Sequence, residues 1–198
     1  RAKVSPLMVL TGGPGTGKTF TVRAIVDAWK EEGKEVLLAC PTARAANVLA
    51  AAVGAPACTI HRLLEFNPRE EAFKRDASNP LDADAVVIDE ASMLDVVLCG
   101  ALFHALKPGA HILMVGDDDQ LPSVGPGAVL HDLLRCSRVP RVELSEIFRQ
   151  DPSGDIARNA QLINRGLTPR HMQYFDSVTA LQAATPQTRP SGTVMIEA

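Results

Sequence analysis

Aromatic residues are scarce in this chain: one Trp, one Tyr and six Phe make up 4% of 198 residues. The core therefore falls to Ala, Val, Leu and Ile, and a hydrophobic content of 46% is enough to build one. With charged residues at 22%, general disorder is excluded. Neither sign of charge dominates: 20 Lys+Arg face 23 Asp+Glu, for a formal net charge of -3. That excludes a strongly basic protein that coats nucleic acid, but not a local basic groove. Long apolar runs are missing. Stretches such as Ala85 to Ile88 are far too short to cross a bilayer, so no membrane association is expected. No charged start leads into an apolar stretch with a small-residue cleavage site, so no secretory signal is read and a cytoplasmic location is expected. Cys40, Cys58, Cys99 and Cys136 are spread out without a C-x-x-C pair, which fits reduced thiols better than a zinc site or a disulfide framework. The chain opens on Arg1 rather than Met, so a longer N-terminus is expected.

What is present is alternation. Leu7 to Thr11 reads as a buried strand, followed by a glycine-rich turn and a helix over Lys18 to Glu31 that places Phe20, Ala24 and Ala28 on one face. Further strands are predicted at Val36–Cys40, Ala85–Asp89, Ile112–Val115 and Val139–Leu144. Further helices are predicted at Ala43–Val53, Thr59–Phe66, Leu94–Leu106 and Ile156–Arg165. The stretch from Asn67 to Asp84 is charged, carries Pro68 and Pro80, and is predicted to be a mobile surface excursion. Apolar strands alternating with helices predict an α/β fold, a parallel sheet covered on both faces. Ligands in such sheets sit beyond the carboxyl ends of the strands. From Met172 the pattern weakens, so the expected division is an α/β domain over 1–145 and an extension or second-domain entry over 146–198.

Gly12-Gly13-Pro14-Gly15-Thr16-Gly17-Lys18-Thr19 fits G-x-x-x-x-G-K-[ST] between a strand and a helix, the context of a phosphate-binding P-loop. Glycines let successive N–H groups turn inward around phosphate oxygens, and the helix start adds partial positive charge. Lys18 is expected to reach the β- and γ-phosphates of ATP, and the Thr19 hydroxyl to ligate Mg²⁺. The nucleotide-binding set is Gly12, Gly13, Pro14, Gly15, Thr16, Gly17, Lys18, Thr19 and Phe20.

Such a loop needs a carboxylate on a neighbouring strand. Asp89 and Glu90 close an apolar strand 71 residues after Lys18 (89 − 18). Asp89 is the expected metal ligand, and Glu90 the general base that polarises the attacking water. The next strand ends at Gly116–Gly127, where Gln120 can both donate and accept and so bond the γ-phosphate and the lytic water. The three acids Asp117, Asp118 and Asp119 do not follow the spacing of a 12-residue calcium loop.

Together these motifs resemble a superfamily 1 helicase, closest to the RecD-like group that includes the alpha subunit of exodeoxyribonuclease V and its stand-alone relatives. The resemblance is carried by Gly12–Thr19, Cys40–Ala46, Thr59–Leu64, Asp89–Met93, Gly116–Gly127, Leu144–Gln150 and Ala160–Gly166, so it spans Leu7 to about Pro169. It implies a RecA-like domain, the first of two that clamp ATP and move 5′→3′ on single-stranded DNA. It also implies DNA contacts at Pro41, Thr42, Arg44, Thr59 and His61, of the phosphate-positioning kind. Solvated-face and capping or core roles stay open for Arg44 and His61. Arg149 is implied to approach the γ-phosphate in the transition state, the alternative being an ion pair with Glu146. Motifs of the second motor domain have no counterpart before Ala198, so a fragment is expected. Other subunits of a recombination or repair complex are possible partners. The alternatives are a nucleotide-binding subunit or regulatory module without unwinding activity, or an RNA helicase of the same superfamily.

Overall fold

The computed structural model describes residues 5–146, 159–160, 162–163, 166–169, 172–175 and 193–196. The chain divides into two compact units, Arg1–Glu146 and Ile147–Ala198. The first is built on a six-stranded sheet formed by β1 (Leu7–Gly12), β2 (Val36–Cys40), β3 (Ala57–Thr59), β6 (Ala85–Ile88), β7 (His111–Gly116) and β8 (Arg141–Leu144). Its order is β3-β2-β6-β7-β1-β8 and every pairing is parallel, the α/β architecture expected from the alternation.

Alternate strand residues point to opposite faces. Met8, Leu10, Leu38, Ala85, Val87, Leu113 and Val115 pack with Val22, Val26 and Trp29 of α1 (Lys18–Glu31) and with Ala46 and Leu49 of α2 (Ala43–Val53). Val9, Ala39, Val86, Ile88, Ile112 and Met114 face the other way. They meet Ile60 of α3 (Ile60–Leu63), Leu98 and Leu102 of α4 (Val96–His104) and Leu130 of α5 (Val129–Arg135). Both faces are therefore covered, and continuous apolar strands follow from that. The helices after β1 and β6 depart to opposite faces, so a crevice opens at the carboxyl end between them, where this architecture binds ligands.

Four local expectations are corrected. Ala57–Thr59 is an edge strand with Thr59 at its end, and the helix predicted from Thr59 is only Ile60–Leu63. Helix Leu94–Leu106 begins later: Ala91–Met93 is a 3₁₀ turn and Asp95 caps α4 by accepting from Leu98 N at 2.7 Å. Asn67–Asp84 is not a loose excursion. Phe66–Asn67 (β4) and Ala72–Phe73 (β5) form a short antiparallel hairpin, and Arg75 clasps the Glu65 carboxylate at 2.6 and 2.8 Å. Helix α5 is not predicted from the sequence, because seven residues after the glycine- and proline-rich stretch Gly116–Gly127 leave too little periodicity to read. In the second unit, β9 (Met172–Phe175) pairs in parallel with β10 (Thr193–Ile196). The helix predicted over Ile156–Arg165 lies largely outside the described residues.

Candidate nucleotide and nucleic-acid site

Strand β1 delivers the phosphate loop. Gly17 caps α1 with φ 87 and ψ 17, a left-handed conformation that glycine adopts without steric cost. Gly12 is required for another reason: a Cβ there would sit 2.6 Å from the Leu144 carbonyl oxygen, because β8 pairs with β1 at that residue. The Lys18 ammonium folds back onto the loop and donates to the carbonyls of Gly12 at 2.5 Å and Gly13 at 2.9 Å. The buried Thr16 donates to Gly13 O at 2.8 Å, closing the turn. Thr19 is half-buried at the helix start and Phe20 is 79% exposed beside it.

Strand β6 delivers the acids at the same end of the sheet. Only β7 separates β6 from β1, which sets the two strand ends about 10 Å apart. Asp89 accepts from the Glu90 amide at 2.9 Å. Burial pushes its carboxyl up from the ordinary range, opposed by that N–H and by the Lys18 ammonium. Glu90 is raised by burial and then by the Asp89 charge, again opposed by Lys18. One cation thus acts on both carboxylates. Glu90 itself sits at φ 56, ψ 40, a left-handed position that costs a side chain about 1–2 kcal/mol. Strain of this kind collects at functional positions, where the surrounding structure holds it in place.

Mg²⁺ fits this donor set. A hydroxyl and a carboxylate are hard oxygen ligands, and magnesium takes few protein groups beside waters and phosphates. Among the described residues no three His, Cys, Asp or Glu side chains gather as a soft-metal or all-protein metal site would require. The Cys40 thiol, at the end of β2, is pushed up to about 12 by burial, then by the Asp89 and Glu90 charges, and stays neutral beside the acids.

Strand β7 delivers the turn that carries Gln120. The Gln120 amide donates to the Asp117 carbonyl at 3.2 Å, and the Gln120 side chain is exposed. The P-loop, Asp89–Glu90 and Gln120 therefore share the carboxyl end of adjacent strands. Arg149 lies outside the described residues.

The residues implied for DNA have more varied surroundings. Thr42 caps α2 and accepts from Ala45 N at 3.3 Å, while Thr59 caps α3 and accepts from Arg62 N at 3.2 Å. Each hydroxyl oxygen is engaged locally, which leaves its O–H proton as the group to offer a phosphate. Pro41 is half-buried, and Arg44 is exposed on α2 without an ion pair among the described residues. His61 is exposed and its ring meets Phe66 and Phe73 at 5.5 and 5.8 Å, so the hairpin supplies a neighbourhood that spacing alone did not reveal. No helix of the described residues is long and apolar enough to cross a membrane.

Residues 1–126 match the AAA domain family, well over half of the chain. The chain belongs to this family. Within it the sequence is RecD-like. This AAA domain is 39% identical over 163 residues to the ATP-dependent RecD2 DNA helicase of Deinococcus radiodurans, covering 82% of this chain and 22% of that protein. It is 40% identical over 149 residues to the RecBCD enzyme subunit RecD of Mycobacterium tuberculosis, covering 64% of this chain and 26% of the relative. The chain spans about a quarter of the length of these two curated relatives. In fold it resembles the Pif1 helicase from Candida albicans, with a TM-score of 0.59 at 19% identity over 88% of this chain and 49% of that one. A Bacteroides sp. Pif1 crystallised with ADP-AlF4 gives a TM-score of 0.52 at 21% identity over 80% of this chain and 41% of that one.

One group near the site escaped the sequence reading. His131 lies on the unpredicted helix α5 and reaches Asp118 in the Gln120 turn. No motif spacing marks it.

Proposed function

We propose that this AAA domain is the first motor domain of an ATP-driven DNA helicase, binding Mg·ATP at the P-loop and moving 5′→3′ on single-stranded DNA. The observation that carries this reading is that the P-loop at the end of β1 and the Asp89 and strained Glu90 pair at the end of β6 lie at the same end of the sheet, with β7 alone between the two strands. Thr19 and Asp89 would hold Mg²⁺, which when bound neutralises charge on the β- and γ-phosphates. The backbone N–H groups of Gly13 and of Gly15 to Thr19 would receive the phosphates, and the Lys18 ammonium would leave the Gly12 and Gly13 carbonyls for them. Glu90, oriented by its backbone, would accept a proton from the attacking water. Gln120 would sense the γ-phosphate, Arg149 would stabilise transition-state charge, and exposed Phe20 would border the nucleotide.

Single-stranded DNA would run over Pro41, Thr42, Arg44, Thr59 and His61, held through phosphates rather than base edges. The name of the RecD2 DNA helicase supports DNA over RNA, and the name RecBCD enzyme subunit supports a multi-subunit complex; we place that complex in recombination or repair and in the cytoplasm as part of the same proposal. Residues 1–145 would form the ATPase domain, and 146–198 the passage toward a second motor domain.

The deciding experiment compares nucleotide binding and strand-stimulated ATPase in this chain and in Lys18→Ala and Glu90→Gln. Lys18→Ala is expected to lower ATP affinity at least tenfold, since a charge-assisted phosphate contact is lost. Glu90→Gln is expected to bind ATP normally and hydrolyse it more slowly by about a hundredfold or more. Equal ATPase rates in the wild type and Glu90→Gln would overturn the role of that carboxylate. Strand displacement from a 5′ overhang separates a motor from a binding module, and stimulation by DNA against RNA identifies the strand.

A further inference from the structure

The turn that carries Gln120 is held from behind by a helix. Asp117 is buried, its carbonyl accepts from Gln120 N at 3.2 Å, and its carboxylate accepts from Asp119 N at 3.2 Å. Residues 117–120 therefore form one tight unit, and Asp118 is its outward handle. The Nδ1 of His131 lies 3.1 and 3.2 Å from the two Asp118 carboxylate oxygens. His131 follows Leu130, which is buried in the core, so α5 has a fixed seat on the sheet and passes it to the turn. A cleft of about 240 Å³ opens beside this link, lined by Ser92, Asp117, Gln120 and His131. The Ser92 hydroxyl is buried there with no hydrogen-bond partner among the described residues.

We infer that His131 is a positioning residue that, through Asp118, sets the Gln120 turn for recognition of the γ-phosphate. The inference rests on the reading of Gln120 as that sensor. His131 and Asp118 are both well exposed, so the pair contributes little to folding. Its loss should therefore appear in nucleotide discrimination rather than in the melting temperature.

The test is the ratio of the dissociation constants for ADP and Mg·ATPγS, obtained by competition against a fluorescent ADP analogue, in this 198-residue chain. No hydrolysis is needed. Gln120→Ala should lower the preference for ATPγS. His131→Ala and Asp118→Ala should each lower it by about threefold to tenfold, one hydrogen bond's worth, with ADP affinity unchanged. The double variant should be no worse than either single one. His131→Asn, whose amide can donate to Asp118, should recover most of the preference, which a merely structural role would not predict. Melting temperatures should stay within about 2 °C.

If Gln120→Ala lowers the preference and His131→Ala does not, the positioning role is overturned while the sensor reading stands. Should Gln120→Ala itself change nothing, the sensor reading fails and the positioning role fails with it. An equal loss of ADP and ATPγS affinity in His131→Ala would also overturn it, since His131 would then act on the P-loop. Asp118→Ala, which removes every acceptor oxygen from that side chain, gives the same decision if His131→Ala does not fold.

Discussion

Glu90 allows the strain in the site to be measured. It occupies φ 56 and ψ 40 while its carbonyl accepts from Met93 N at 3.1 Å, so the turn into Ala91–Met93 requires the left-handed geometry. Glu90→Gln and Glu90→Gly both remove the charge, and comparing them with each other cancels the electrostatic gain. Glutamine keeps the left-handed cost of about 1–2 kcal/mol, whereas glycine escapes it. Glycine loses about 0.5–1 kcal/mol in extra chain entropy on folding. The net advantage of Glu90→Gly is thus about 0–1.5 kcal/mol, about 0.75 kcal/mol at the middle of both ranges, or about 1.5–3 °C in melting temperature for a chain of this size. Trp29 is the single Trp and is fully buried, so its fluorescence reports the transition in magnesium-free buffer. Neither variant should sustain hydrolysis, and both should bind ATP. A Glu90→Gly protein that melts below Glu90→Gln would refute the argument that the carboxylate proposed as the base is held here against backbone preference.

The close approach of β8 to the P-loop predicts that Gly12→Ala costs about 1–3 kcal/mol in a urea titration, because the new methyl would press on the Leu144 carbonyl rather than on a side chain that can turn away. An unchanged midpoint would contradict that packing. Thr42→Ala should cost about 1 kcal/mol through its lost cap and lower single-strand affinity, whereas Thr42→Ser should preserve both. At pH 8.5 iodoacetamide should label exposed Cys136 first and Cys58 next, with Cys40 and Cys99 protected until the chain unfolds. Burial raises Cys40 to about 12 and Cys99 to about 11 from an ordinary 9.0, so their contribution to stability is full below pH 9 and lost as pH rises toward those values. Denaturation midpoints should fall over that alkaline window, and a flat profile to pH 11 would contradict it.

The fold and the candidate phosphate loop are legible in the sequence because each rests on local physics. Four apolar runs with helical stretches between them leave little choice but a parallel sheet covered on both faces, and G-x-x-x-x-G-K-T after a strand specifies its own backbone. Asp89 and Glu90 could be named because a buried strand that ends in two acids is readable in one dimension. Tertiary structure decided what depends on neighbours distant in sequence. Insertion of β6 and β7 between β2 and β1 put the acids at the same end of the sheet as the P-loop, two strands away, and no spacing specifies a strand order. Glu90 shows its strain only as a backbone angle, and Gly12 its necessity only once Leu144 lies against it. His61 gained its ring neighbours when the hairpin folded back, and His131 reached Asp118 because a helix too short to betray its period is seated by one buried leucine. Local chemistry is written along a chain, whereas the meeting of distant side chains depends on how the whole sheet closes its core.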